Sequence, residues 1–418
     1  MLIQYMVRNF KSIKDEVVIN FSASDKLAKD EALISNGEYS KLYRAIGLVG
    51  PNASGKSNIL ESIFFALKFI NHTISRKESS KINVEPFMLD ENSMNEPTSF
   101  EFIFVEDGIK YVYGFSIDGE KVTEEYLMAY YSRKSTTVFD RDVSKEIKYD
   151  FKGNDVKIQT DISLKTNANR LYLPVAAEWG YEKLKAPYKW FERMFKQYGE
   201  RNISEMLERI LQNEELKTIL LNSLKKADFN ISDIFIKRKK FGSVQRETMI
   251  SILSQMLGNS DFDNDIVPDS RPIVWVTHES RNGNRFSIEL EEDSSGTKDI
   301  ISDIAEFLYI NHTGGLLLDD EMGRNYHTKL TEYFVNIFND STMNTGKAQM
   351  LFSTHDTKVL NILRPEQIYL VDKDEDGATF VKLLDDYLIR EKDNIELGYL
   401  KGRYGAVPNI KEEYRIEG

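Results

Sequence analysis

Three groups of residues in this chain have the types and spacing to handle a polyphosphate. The first is Gly50-Pro51-Asn52-Ala53-Ser54-Gly55-Lys56-Ser57-Asn58, which contains the phosphate-binding loop pattern G-x-x-x-x-G-K-S. Gly50 and Gly55 allow the backbone to turn its N–H groups inward around an anion, and the helix that follows adds the partial charge of its N-terminus. Lys56 would reach the outer phosphates of ATP, and the Ser57 hydroxyl would hold Mg2+. The second group is Asp320-Glu321, at the end of the apolar run Gly315–Asp319. Nucleoside triphosphate hydrolysis needs one acid for the metal, here Asp320, and another to orient the attacking water, here Glu321. The third is His355, at the tip of the apolar run Gln349–Ser353.

Around these residues the hydrophobic pattern sets a frame. Ala45–Val49 reads as a buried strand, and Asn58–Leu67 has a helix's apolar period. Leu2–Val7 and Val17–Phe21 read as two strands of a hairpin. Ser99–Val105, Lys110–Ile117 and Tyr126–Ser132 form an antiparallel meander, with Asp107-Gly108 and Asp118-Gly119 as turns. From about Ala176 to Leu257 the spacing is helical, with no sustained heptads and so no long coiled-coil arm. Pro272–His278 and Arg285–Leu290 flank Asn282-Gly283 as a further hairpin. Strands at 315–319, 349–353 and 367–371 then alternate with a helix at 328–338, which implies a mainly parallel sheet. The expected fold class is α/β, with three stretches: 1–175, a helical insertion at 176–271, and 272–418.

Composition narrows the partners. At 418 residues, 41% apolar and 29% charged, the chain is long enough for two or three packed domains. No apolar run reaches membrane-spanning length and no signal-peptide pattern opens the chain, so a cytoplasmic protein without a membrane partner is expected. Zero cysteines exclude disulfides and thiolate-held metals. A net charge of −12 argues against a broadly basic nucleic-acid binder and leaves room only for a local patch. The most basic run, Ile236–Lys240, could contact nucleic acid or an acidic partner, but a solvated turn is the simpler expectation. Asp372–Gly377 begins like an EF-hand loop, but its twelfth position is Leu383, which cannot supply a bidentate carboxylate.

Several motifs resemble those of the RecF, OLD and SMC-like ABC-type ATPases. Arg8–Ile13 resembles their opening "NF(R/K)S" segment, which would place Lys11, or Arg8, near the phosphates. Asp293-Ser294-Ser295-Gly296-Thr297-Lys298, before a helix expected at about 299–310, resembles the ABC signature. In that family the signature meets the nucleotide held by the opposite subunit, so Ser294, Ser295 and Gly296 would complete a partner's site in a homodimer or higher homo-oligomer. His355 matches the switch histidine, and the phosphate loop, Asp320-Glu321 and signature together imply an ABC-type ATPase head with a helical insertion.

The tail Leu397–Pro408 narrows the resemblance to the ATPases of AbiL-like abortive-infection, RloA, PARIS (AriA) and Septu (PtuA) anti-phage systems. That implies a sensor or regulator with a phage trigger and a separately encoded, nuclease-like effector. A RecF-like DNA-repair ATPase and a nucleotide-gated scaffold with little turnover are the alternatives. Two departures stand out. The D-loop reads Met322-Gly323-Arg324-Asn325-Tyr326-His327-Thr328, without the usual aspartate and proline, and the signature has Asp293 where leucine is usual.

Overall fold

The structure, a computed structural model, describes residues 1–24, 27, 30, 33–35, 39, 41–152, 155–199, 203–257, 269–324, 328–390 and 393–407. The described chain divides into two compact units, Met1–Glu200 with Ile310–Gly418, and Arg201–Tyr309.

In chain order, the first unit opens with β1 (Leu2–Arg8) and β2 (Val17–Asn20), paired antiparallel. β3 (Ala45–Val49) follows, with all five residues buried, as befits a strand covered on both faces. The phosphate-binding loop leads into α1 (Lys56–His72), whose buried Ile59, Ile63, Ala66, Leu67 and Ile70 recur at helical spacing. β4 (Thr98–Glu106), β5 (Ile109–Ile117), β6 (Val122–Tyr130), β7 (Thr136–Asp142) and β8 (Tyr149–Phe151) then form the meander. In β4, Phe100, Phe102 and Phe104 alternate inward. After α2 (Val156–Ser163) and α3 (Tyr172–Glu178), α4 (Glu182–Gly199) sets Trp190 and Phe191 against that face. The ring centroids of Phe104 and Trp190 stand 4.3 Å apart.

The second unit holds α5 (Ile203–Leu211), α6 (Glu214–Lys226), β9 (Ile231–Lys240), α7 (Ser243–Leu257), β10 (Ser270–Glu279) and β11 (Arg285–Glu289). It also holds most of α8 (Ser295–Thr313), whose last residues fall in the first unit. Its strands form an antiparallel sheet in the order β11-β10-β9. This unit starts and ends later than the helical insertion expected at 176–271. Aromatic packing of α4 keeps residues up to 199 with the meander, while pairing of β9 with β10 draws the next hairpin in. The basic run is therefore part of a strand and not a turn: Ile236–Lys240 lies in β9, with Lys239 directly opposite Arg271. Of the acidic run Ser260–Asp269, which the sequence suggests is a loop, residues 260–268 lie outside the described residues.

The chain then returns to the first unit with β12 (Leu316–Asp319), α9 (Thr328–Asn339), β13 (Gln349–Thr354), β14 (Ile368–Lys373), β15 (Thr379–Leu383) and α10 (Ile395–Leu400). Two sheets result. The seven-stranded sheet, β2-β1-β4-β5-β6-β7-β8, is antiparallel throughout. The five-stranded sheet runs β12-β13-β3-β14-β15, parallel except for the edge strand β15. Buried Gln349 joins them: its carboxamide accepts from Leu2 N–H and donates to Leu2 C=O, both at 2.7 Å. A parallel α/β core bearing a phosphate loop, with an attached antiparallel sheet, agrees with the α/β, ABC-type ATPase head that the resemblance implies.

Candidate nucleotide site

The central strand of the core sheet, β3, delivers the phosphate-binding loop at its carboxyl end, where open α/β sheets bind ligands. The loop's two glycines serve different needs. Gly55 has φ +107°, and a Cβ there would lie 2.0 Å from Thr379 Oγ1. Gly50 has no such φ, but a Cβ there would lie 2.1 Å from the Val371 carbonyl oxygen of β14. Ala53 also takes a left-handed conformation, φ +62°, which costs a non-glycine residue about 1–2 kcal/mol.

Lys56, the first residue of α1, is buried, and its ammonium donates to the carbonyls of Gly50 (2.9 Å) and Pro51 (2.8 Å). Burial pulls its pKa down, and the charges of Asp320 and Glu321 oppose that shift. The carboxylates that sequence separates from it by a long stretch are thus its electrostatic neighbours.

Behind the loop runs a hydrogen-bonded chain that the sequence did not announce. Asn58 Nδ2 donates to Ser12 Oγ (2.6 Å), Ser12 Oγ stands 2.7 Å from Thr379 Oγ1, and Thr379 Oγ1 donates to the Ser54 carbonyl (2.8 Å). A hydroxyl has one proton to give, so Thr379 must accept from Ser12, and the chain runs in one direction only. It ties the opening segment, β15 and the loop together. In the sequence Ser12 falls inside the Arg8–Ile13 motif, and Ser54 and Asn58 inside the phosphate-binding stretch, while Thr379 carries no signal.

At the end of β12, Asp320 Oδ1 lies 3.1 Å from Ser57 Oγ and 2.6 Å from Ser353 Oγ. Ser353 donates to Asp320 and accepts from Glu321 N–H at 2.8 Å, so one side chain of β13 orients both acids. Sequence reading passed over Ser353; a polar residue closing an apolar core strand was the available signal. Glu321 turns the chain sharply, with φ +62°, and its carboxylate pairs with Arg324 at 2.7 Å. Thr354 Oγ1 donates to the Met322 carbonyl (2.8 Å), which fixes the start of the D-loop. Asn325, Tyr326 and His327 lie outside the described residues.

His355 follows β13 directly; its side chain reaches solvent but is partly desolvated by its surroundings. With Lys56, Glu321 and Lys373 it lines a cavity of about 310 Å³ formed around the loop residues Asn52–Asn58. Burial lowers its pKa and the Lys56 charge adds to the effect, against the pull of Glu321 and Asp320. Lys373, at the end of β14, was not anticipated; an isolated lysine ending a strand gives no signal.

Lys11 is not among the residues lining that cavity. Its ammonium pairs with Glu61 of α1 at 2.5 Å, and Arg8 pairs with Glu96. The signature residues lie in the second unit. Ser294, Ser295 and Gly296 are exposed, and α8 begins at Ser295, earlier than expected. Ser294 caps that helix: its Oγ accepts from Thr297 N–H at 3.1 Å. Asp293 has a local reason to replace leucine, since its carboxylate bonds His278 Nε2 (2.6 Å) and accepts from Ser294 N–H (2.7 Å). Burial alone would raise its pKa, but these bonds outweigh burial and hold it below the ordinary carboxylate value.

The donor set suits a hard cation. Among the described residues no three His, Asp or Glu gather into a metal-binding cluster. Ser57 and Asp320 offer two oxygens, which fits Mg2+ in its usual role, completed by phosphate and water rather than by a protein cage. The turn at Asp374–Ala378 closes on itself, with Asp374 Oδ1 accepting from the N–H groups of Asp376 and Ala378.

No helix of the described residues is long and apolar enough to cross a membrane. Among curated proteins no relative matches the chain. Solved structures similar to it include an SMC head bound to the C-winged helix domain of ScpA, at 15% identity and a TM-score of 0.43, covering 91% of this chain and 96% of that one. The SMC head domain from Thermotoga maritima is similar at 12% identity and a TM-score of 0.37, covering 91% and 98%. An SMC head from Pyrococcus furiosus with an extended coiled coil, bound to the C-terminal domain of ScpA, is similar at 14% and 0.35, covering 91% and 95%. Residues 46–361, well over half of the sequence, match one protein family, and the chain accordingly belongs to the family described as "AAA domain, putative AbiEii toxin, Type IV TA system".

Proposed function

We propose that this protein binds Mg–ATP at its phosphate-binding loop, hydrolyses it between two copies of the chain, and thereby governs a separately encoded, nuclease-like effector in bacterial anti-phage defence. The observation that carries the ATPase reading is the approach of Ser57 Oγ to Asp320 Oδ1 beside Lys56. The loop backbone from Gly50 to Gly55 and Lys56 would hold the phosphates, with Asn58 supporting the loop through Ser12. Ser57 and Asp320 would hold Mg2+, which when bound draws charge from the phosphoryl oxygens. Glu321 would orient water, and His355 would meet the terminal phosphate. Ser294, Ser295 and Gly296, exposed on the second unit, would close the partner's site. Support for the defence role comes from the toxin–antitoxin wording of the family description and from the tail resemblance.

A second reading, a nucleotide-gated scaffold with little turnover, is favoured by one contact. Arg324 engages the carboxylate that would orient water. Phosphate release and ATP-dependent association, measured on the native protein and on Glu321→Gln, decide between them. The ATPase reading expects about 10²–10⁴-fold slower release in the variant with ATP-driven dimers preserved. Release equal in both proteins removes Glu321 from its role. Dimerisation by ATP with no release above background leaves the scaffold.

A further inference from the structure

The tail stretch Gly398–Val407, which phosphate chemistry does not account for, stands beside the phosphate-binding loop. Through Tyr399–Gly402 and Gly405–Val407 it walls a cleft of about 1110 Å³ whose other side includes Pro51, Asn52 and His355. Asn52 and His355 also line the smaller cavity around Lys56, so the two spaces adjoin.

Two acids fix this tail in place. The Glu396 side chain, 13% exposed, accepts from Thr357 Oγ1 (2.9 Å), Asn361 Nδ2 (2.9 Å) and Lys358 Nζ (3.1 Å). All three donors belong to the single 3₁₀ turn Thr357–Asn361, whose first residue lies two positions after His355. At the other end, Asp372 of β14 accepts from Ala406 N–H (3.1 Å) and from Lys373 N–H (2.9 Å). Between these anchors the tail folds back on itself. Gly402, Gly405 and Ala406 take left-handed conformations, and the Tyr399 hydroxyl donates to the Ala406 carbonyl at 2.7 Å. The tail thus bridges the segments that carry His355 and Lys373, two residues lining the cavity around the loop. Burial favours the neutral form of Glu396, but its hydrogen bonds from Thr357 and Lys358 and the Lys358 charge outweigh that and keep it ionised. A largely buried carboxylate with three donors is costly to desolvate and is held only where geometry compensates.

We propose that Glu396, backed by the tail Gly398–Val407, is a positioning residue that sets where His355 stands over the nucleotide cavity. This rests on the reading of His355 as the group that meets the terminal phosphate.

The test is a double-mutant cycle: the native protein, His355→Ala, Glu396→Ala and the double variant, each measured for kcat, KM, Kd for a fluorescent ATP analogue, and Tm. Glu396→Ala is expected to lower kcat by about 10-fold or more with Kd within about twofold. Added to His355→Ala, it is expected to change kcat no further, because residues acting as one unit are not additive. Thr357→Val, which removes one of the three donors, gives a milder and partial loss if Glu396→Ala fails to fold. Losses that multiply in the double variant, or a Glu396→Ala enzyme with native kcat and only a lower Tm, overturn the inference while leaving His355 in its role. A native kcat in His355→Ala overturns the reading of His355, and the inference with it.

Discussion

Ser57 and Asp320, 263 positions apart, stand with Oγ and Oδ1 3.1 Å from each other. A hydroxyl of α1 and a carboxylate just after β12 this close, beside a buried lysine, would offer a hard cation two oxygens. Ser57→Ala and Asp320→Asn are each expected to weaken nucleotide binding in Mg2+ by about 10- to 100-fold, the worth of one charge-assisted contact. In EDTA the variants and the native protein are expected to bind alike. A Mg2+ benefit that survives both substitutions would move the metal elsewhere.

The histidine after β13 gives a pH signature. Burial and then Lys56 hold His355 below its ordinary 6.5, so it is neutral at pH 7. The unfolded chain takes up that proton near pH 6.5 and the folded one only at lower pH. This residue's contribution to stability is therefore full above pH 6.5 and is lost as pH falls through the folded value. With five histidines in the chain, NMR titration of labelled imidazoles is tractable. Lys56→Met removes the second cause, and the His355 pKa is expected to rise; an unchanged value would place the two groups out of each other's field.

The chain of hydroxyls behind the loop sets a stability prediction. Thr379→Val leaves the Ser54 carbonyl without its donor and Ser12 without its acceptor. Stability in urea is expected to fall by about 1–3 kcal/mol, while Thr379→Ser stays nearer the native value. Equal stability of the valine and serine variants would show the hydroxyl to be dispensable.

Ser294 separates capping from catalysis. Aspartate caps a helix about as well as serine, so Ser294→Asp keeps α8 intact and sets a negative charge where a partner's phosphate would come. Native stability with turnover lost is the expected result. Mixing this variant with Lys56→Ala, each inactive alone, is expected to restore part of the phosphate release, because a mixed dimer keeps one complete site. A mixture as inactive as its components would argue against a site shared between copies.

Much of this was legible because the signals were local. Buried Ala45–Val49, the loop spacing and the Asp-Gly turns lie in short windows where period and glycine chemistry decide. The core sheet followed from the alternation of strands and helices at the carboxyl end. What stayed hidden depends on pairing at long range. Ser353 matters only because β13 lies beside β12, and Ser12 only because β15 returns to the loop. The basic run could not be told from a turn until β10 was seen opposite it. Asp293 looked like a defect in a motif until His278 supplied its partner.

The placement of β3 between β13 and β14, together with the Gln349 bonds to Leu2 across 347 residues, has a bearing on biosynthesis. A ribosome delivers the loop and the meander strands β4–β8 well before β13 and β14, the strands that flank β3 in the core sheet. Maturation must wait until β14 has been made, and a product cut short before β13 would carry the complete phosphate motif yet lack the strands that flank β3.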